Sequence, residues 1–212
     1  MKAHSHIGFW VLSFLIAVLL APALTSPTTI FDRLNSEVDS VKSTFGPFVG
    51  GGLVKLANIA HQAVSATGAE GVVREGIHSE SERMQAETHL SVIGTLAVDT
   101  ANDYFGGLVL QLYGVVLRAL IVGLWAILLV PFVIAVCIDG VSMRGAKLAD
   151  LGHQNPTAFS LAAHLLIILM ALPLMYIAAP LPLPATFMLW WSVIVAVPAG
   201  FAIRHMQPIL TH

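Results

Sequence analysis

Nine histidines, twelve carboxylates and one cysteine are the groups in this chain that could do acid–base, metal or nucleophilic chemistry. Their spacing assembles none of it. His4 and His6 could share a metal, but they lie at a terminus with no third ligand near them in sequence. "GPFVGGGL", residues 46–53, lacks the lysine and the strand-to-helix setting of a phosphate-binding loop and reads as a hinge. Cys137 stands alone inside an apolar run, which excludes an intramolecular disulfide and any multi-cysteine metal site. It reads as a small buried hydrophobe. No His-Glu-x-x-His pattern is present. The reading is a non-enzyme with no catalytic, cofactor-binding or metal-binding residues.

The informative polar residues are those embedded in apolar surroundings, where an ionisable group is costly and needs a reason. Arg118 opens a run without charge from Ala119 to Ile138, and it can snorkel to the outer interface, pair locally or face a partner. His164 lies about two turns inside another apolar segment, where a hydrogen bond to a neighbouring helix is the plain role. Asp139 ends the first run, followed by Gly140, Arg144 and Lys147. A carboxylate near a helix carboxyl end faces the negative end of the dipole. Either the helix continues past it, or Asp139 pairs with Arg144, Lys147 or Arg204. A docking contact is the further role for this stretch. Gly106, Gly107, Gly114 and Gly123 could give one helix a close-approach face for another helix, in a partner or in the chain itself.

The elements that must carry these residues follow from composition. Hydrophobic residues make up 57% of the chain and charged residues 10%, with a mean hydropathy of +0.83. Soluble domains carry roughly 25% charged residues, so the chain reads as an all-α membrane protein. A span needs about 20 apolar residues. That gives about four transmembrane helices: one within residues 1–25, one at 106–138, and a hairpin at 157–203 bent at "PLPLP", residues 180–184, where prolines cannot continue a helix. Pro131, Pro173 and Pro198 fall inside spans, where they are tolerated as kinks. Tyr176, Trp190 and Trp191 read as interface anchors.

Residues 26–105 hold ten of the twelve acids against five cations, Arg33, Lys42, Lys55, Arg74 and Arg83. Lys2, Arg144, Lys147 and Arg204 alternate onto the opposite side, which places both termini and a loop at 139–156 in the cytoplasm. Residues 204–212 form the tail. Ala21-Pro22-Ala23 also resembles a signal-peptide cleavage site, which would leave three spans.

The acidic stretch reads as a small helical periplasmic domain. Phe31, Leu34, Val38, Val41 and Phe45 form one stripe, capped by Ser26 or Thr28 and ended by Gly46-Pro47. Leu53, Ala57, Ala60 and Val64 form a second. Ala86, Leu90, Ile93, Ala97, Ala101 and Tyr104 form a third that runs without proline into the second span. Thr67 to Ser79 reads as a loop. A net charge of −2 gives no electrostatic case for nucleic-acid binding.

Pro131, "IDG" at 138–140, Arg144, His164 and the "PLPLP" hairpin together resemble the integrating-conjugative-element membrane proteins, which include the TraJ-type transfer proteins of H-type plasmids. The chain departs from that pattern in having only Arg144 and Lys147 where relatives carry a cluster of arginines. The resemblance implies an inner-membrane accessory subunit of a conjugative DNA-transfer, or type IV secretion, system. Its implied partners are the coupling ATPase or another secretion subunit within the lipid bilayer, with a homo-oligomer as a further option. The competing readings are an independent small membrane transporter and an entry-exclusion or immunity protein.

Overall fold

The computed structural model describes the backbone of residues 3–66, 77, 79–149, 155–179 and 183–206, with side chains from Gly8 onward except at Val64, Ser65 and Leu148 and over much of 80–97. Five helices follow one another: α1 (Ala3–Leu24), α2 (Pro27–Ala66), α3 (Glu80–Ala149), α4 (Pro156–Ala178) and α5 (Phe187–His205). No strand occurs among the described residues.

Local chemistry sets the boundaries. Pro27 occupies the first position of α2, and the Thr29 N–H donates to Ser26 Oγ at 3.4 Å, which makes Ser26 the amino cap. Gly46 takes φ +75° and ψ 168°, a conformation open to glycine, and splits α2 into two helical pieces where Gly46-Pro47 predicts a break. At the start of α4, Asn155 Oδ1 accepts from the Thr157 and Ala158 N–H groups at 3.0 and 3.2 Å, with Pro156 again first in the helix.

Among the described residues, three helices are long and apolar enough to cross a membrane: Val98–Lys147 of α3, α4 and α5. The described part of α1, Gly8–Leu24, enters that count only when joined to Pro27–Ala63 across a bend of 116°. The predicted loop at 139–156 is mostly helix. α3 runs through Asp139 and Gly140 to Ala149, because neither residue takes a helix-ending conformation there. α3 begins at Glu80 and runs on past residue 106 without a break, as the proline-free junction with the second span predicts. Cys137 is exposed rather than buried, on an outward face of α3. Thr67 to Ser79, apart from Ile77 and Ser79, and Pro180 to Pro182 of the hairpin lie outside the described residues. So do the side chains of His4, His6, Val64, Ala86, Leu90, Ile93 and Ala97.

The chain divides into two compact units. One comprises Met1–Ile121 with Met175–Ala185; the other comprises Val122–Leu174 with Thr186–His212. In the first, the core is a seam between α2 and α3. α2 contributes Ile30, Leu34, Glu37 and Val41; α3 contributes Leu108, Gln111, Leu117, Arg118 and Ile121, all buried. Tyr104 Oη donates to the Leu19 carbonyl at 3.2 Å, and Tyr113 Oη donates to Asn58 Oδ1 at 2.9 Å. In the second unit, Trp191 Nε1 donates to the Leu169 carbonyl at 2.8 Å and ties α5 to α4. Trp190 is exposed. Large apolar side chains such as Ile127, Leu161 and Val197 are exposed there, a surface suited to a bilayer.

Candidate functional site

The sequence-predicted site residues fall into two groups, one in each unit. In the first unit, Arg118 is 1% exposed and Glu37 4% exposed, and they form a fork. Arg118 Nε donates to Glu37 Oε1 and Oε2 at 3.2 and 2.9 Å, and Arg118 Nη2 donates to Oε1 at 2.6 Å. Arg118 therefore does not snorkel; it is sealed against α2 by a charge-assisted pair of the strong, planar kind. Burial pushes the Glu37 carboxyl above its ordinary range, while the hydrogen bond and charge of Arg118, and the charge of Arg33, pull it back.

Gly114 makes room for this fork. A Cβ there would stand 3.1 Å from Leu34 Cδ2 and 3.6 Å from the Arg118 guanidinium. The bare face of Gly114 is thus occupied by the chain's own α2 and Arg118. Gly107 likewise lies under Pro22: a Cβ added there would stand 3.1 Å from Pro22 Cβ. Gln111, one turn before Gly114, donates through Nε2 to the Ala178 carbonyl at 2.5 Å, satisfying an acceptor at the end of α4 that the helix itself leaves open. On the other side of the same connection, the Ala185 N–H donates to Ser40 Oγ at 3.1 Å. Tyr176, predicted as an interface anchor, is instead 3% exposed and near enough to Glu37 and Arg118 to feel both charges. An aromatic with a polar tip serves a buried ion pair as readily as a headgroup layer.

In the second unit, Asp139, Gly140, Arg144 and Lys147 lie on the part of α3 that meets the last turns of α5. A Cβ on Gly140 would stand 2.9 Å from both Cβ and Cγ2 of Ile203. Glycine is required there by close helix approach within the chain. Lys147 Nζ lies 3.4 and 3.3 Å from Nδ1 and Nε2 of His205, and the Asn155 N–H points at Nδ1 from 3.4 Å. The His205 ring thus faces two donors, one from the end of α3 and one from the start of α4. Asp139 is exposed and forms no ion pair with Arg144, Lys147 or Arg204 among the described residues. Of the two ways to relieve its position, continuation of the helix is the one present. Arg144 is half-buried, and its Nε has no hydrogen-bond partner among the described residues.

The last two candidates lie apart. Gly123 is exposed, with nothing within 4 Å of a Cβ placed on it. His164 is exposed on α4 and shares a 2.7 Å hydrogen bond with the Ser160 carbonyl of its own helix, rather than with a neighbour. Sequence reasoning missed Glu37, Gln111, Ile203 and His205. The signal for Glu37 was present: Ile30, Leu34, Glu37 and Val41 recur at helical spacing, with an acid where a core residue belongs.

Neither arrangement contains a nucleophile with a base, or a cluster of metal ligands, among the described residues. What the geometry does supply is a locked α2–α3 seam in one unit and a polar end to a tight helix crossing in the other. No curated protein and no solved structure shows significant similarity to the chain. A family model for IncC plasmid conjugative DNA transfer proteins, DtrJ-like, matches residues 48–211. The match supports the conjugative-transfer resemblance of the sequence, in this family rather than in the TraJ-type proteins of H-type plasmids. With all three candidate spans, the Gly140–Ile203 crossing and Arg118 inside the matched stretch, the chain belongs to the DtrJ-like family of plasmid conjugative DNA transfer proteins.

Proposed function

We propose that the chain is an accessory subunit of the conjugative DNA-transfer machinery, embedded in the bacterial inner membrane and bound there to the coupling ATPase or to another type IV secretion subunit. The family match over residues 48–211 supports the conjugative part of this reading, and it covers the three helices that are long and apolar enough to cross a membrane. In this reading Arg144, Lys147 and Arg204 mark the cytoplasmic end of the second unit, following the bias of Lys and Arg toward that side.

The partner surface is the outward face of α3 that begins at Gly123. Gly123, Ile127, Val130 and Ile134 recur at spacings of four, three and four, and all are exposed. Glycine at the head of such a face lets a second helix approach closely, and association in lipid rests on that packing rather than on a hydrophobic drive. Gly114 and Gly140 are unsuited to this role, since Leu34 and Ile203 already fill their approaches.

Deleting the coding sequence from a donor cell tests the function. Transfer out should fall to background and return with the wild-type chain, while uptake by recipients expressing it should be unchanged. Normal transfer out, with uptake suppressed in cells carrying the chain, would overturn the accessory-subunit reading in favour of entry exclusion.

A further inference from the structure

Between α3 and α5, within the second unit, runs an open groove of about 580 Å³. Its walls are apolar, with Phe132 and Val136 from α3 and Val197 and Phe201 from α5. Two ionisable side chains line it, Asp139 and Arg204, which follow the apolar residues along their respective helices. They share the groove without an ion pair between them. Arg204 Nε is buried and has no hydrogen-bond partner among the described residues. A cation in the last turn of α5 is explained by the helix dipole. A buried guanidinium N–H without an acceptor is not explained that way, and the exposed Asp139 carboxylate places an opposite charge on the same groove without pairing to it.

We infer that this groove binds one zwitterionic phospholipid with a primary ammonium group. Its phosphate meets the Arg204 guanidinium, its ammonium meets the Asp139 carboxylate, and an acyl chain lies along Phe132, Val136, Val197 and Phe201. The inference rests on the membrane-spanning reading above. Charge order selects the occupant. An anionic lipid would satisfy Arg204 but bring a second negative charge to Asp139. A quaternary choline headgroup would supply charge to Asp139 but no N–H to donate. A phosphate and an ammonium held two carbons apart satisfy both side chains. Guanidinium–phosphate pairing is directional as well as strong, and the groove has the size of a ligand site.

The test uses the purified full-length chain in detergent. Dioleoyl phosphatidylethanolamine, phosphatidylcholine and phosphatidylglycerol are added at equal mole fraction, and retained lipid is read by native mass spectrometry. One phosphatidylethanolamine should persist at collision energies that strip the other two. Arg204→Gln should lower that retention about tenfold, the loss expected for one charged hydrogen bond, and Arg204→Lys should keep part of it. Asp139→Asn should abolish the preference over phosphatidylcholine while leaving a bound phospholipid. Equal retention of the three lipids by the wild-type chain would overturn the inference. So would unchanged selectivity in both Arg204→Gln and Asp139→Asn, or a helix of a co-purified protein cross-linking into the groove at Val197→Cys. Alkaline extraction of cell membranes separates the two levels of the argument. A chain released into the soluble fraction contradicts the membrane reading itself, whereas a chain retained in the membrane but indifferent to lipid contradicts only the groove.

Discussion

The Arg118–Glu37 pair makes a quantitative prediction with an asymmetry built into it. Both side chains are almost wholly buried, so removing either leaves the other without its counter-charge. Breaking a buried pair from one side costs about 3–5 kcal/mol, while replacing both members with apolar residues of similar volume is often neutral or stabilising. The two singles should nevertheless differ. A guanidinium stays charged in proteins, so Glu37→Leu strands a permanent cation in the α2–α3 seam. In Arg118→Met the principal groups that pull the Glu37 carboxyl down are gone, burial pushes it up, and it can take a proton instead. Glu37→Leu should therefore be the more damaging, and the double variant should lie close to wild type. The cycle would show a coupling of about 3 kcal/mol or more between the sites. Unfolding of the purified chain in mixed micelles, followed by circular dichroism against added denaturing detergent, would measure all four corners. Costs that add within about 0.5 kcal/mol, or a costlier Arg118→Met, would refute the claim that the pair is sealed and mutually dependent.

Further substitutions test the packing around the two groups. Gly140→Ala forces a Cβ to within 2.9 Å of Ile203, so it should destabilise the α3–α5 crossing by about 1–3 kcal/mol, with partial recovery in Gly140→Ala/Ile203→Ala, read as the same unfolding midpoint. Gln111→Leu should cost about 1–3 kcal/mol by leaving the Ala178 carbonyl without its donor. A cost below a few tenths in the unfolding assay would remove that bond from the account. Gly114→Leu should collapse stability by displacing Leu34 and the Arg118 guanidinium, whereas Gly123→Leu should leave the unfolding midpoint unchanged and lose only partner capture. A stable Gly114→Leu chain would contradict the seam.

Hydropathy made α4 and α5 legible because a span is a bulk property of twenty or so residues. The break at Gly46-Pro47 was legible because its chemistry is local. The α2 seam was read in part: Leu34 and Val41 of the predicted stripe are buried, while Ile30 and Glu37 take the places given to Phe31 and Val38. Phe31, Leu34, Val38 and Val41 make the apolar stripe, but Phe31 is 52% exposed, and Ile30, Leu34, Glu37 and Val41 are the buried residues. A rule that searches for apolar residues steps over an acid, and the acid is what the seam was built around. Its partner Arg118 drew attention as a charge in an apolar run, yet pairing across 81 residues leaves no trace in spacing. Asp139-Gly140 has the composition of a turn, but Ile203, on a different helix, sets the need for that glycine, and the backbone stays helical. Tyr176 was misplaced for a similar reason: aromatic position along a span reports depth, not which neighbour covers the ring.

The central claim is membership of a membrane-bound transfer complex, and recovery of an affinity-tagged chain from donor-cell membranes in mild detergent tests it most directly. The account predicts co-purification of a coupling ATPase or another type IV secretion subunit, lost in the Gly123→Leu variant and kept in an Asp139→Asn variant. Recovery of the chain alone, or only with copies of itself, from membranes in which the transfer machinery is assembled would contradict it.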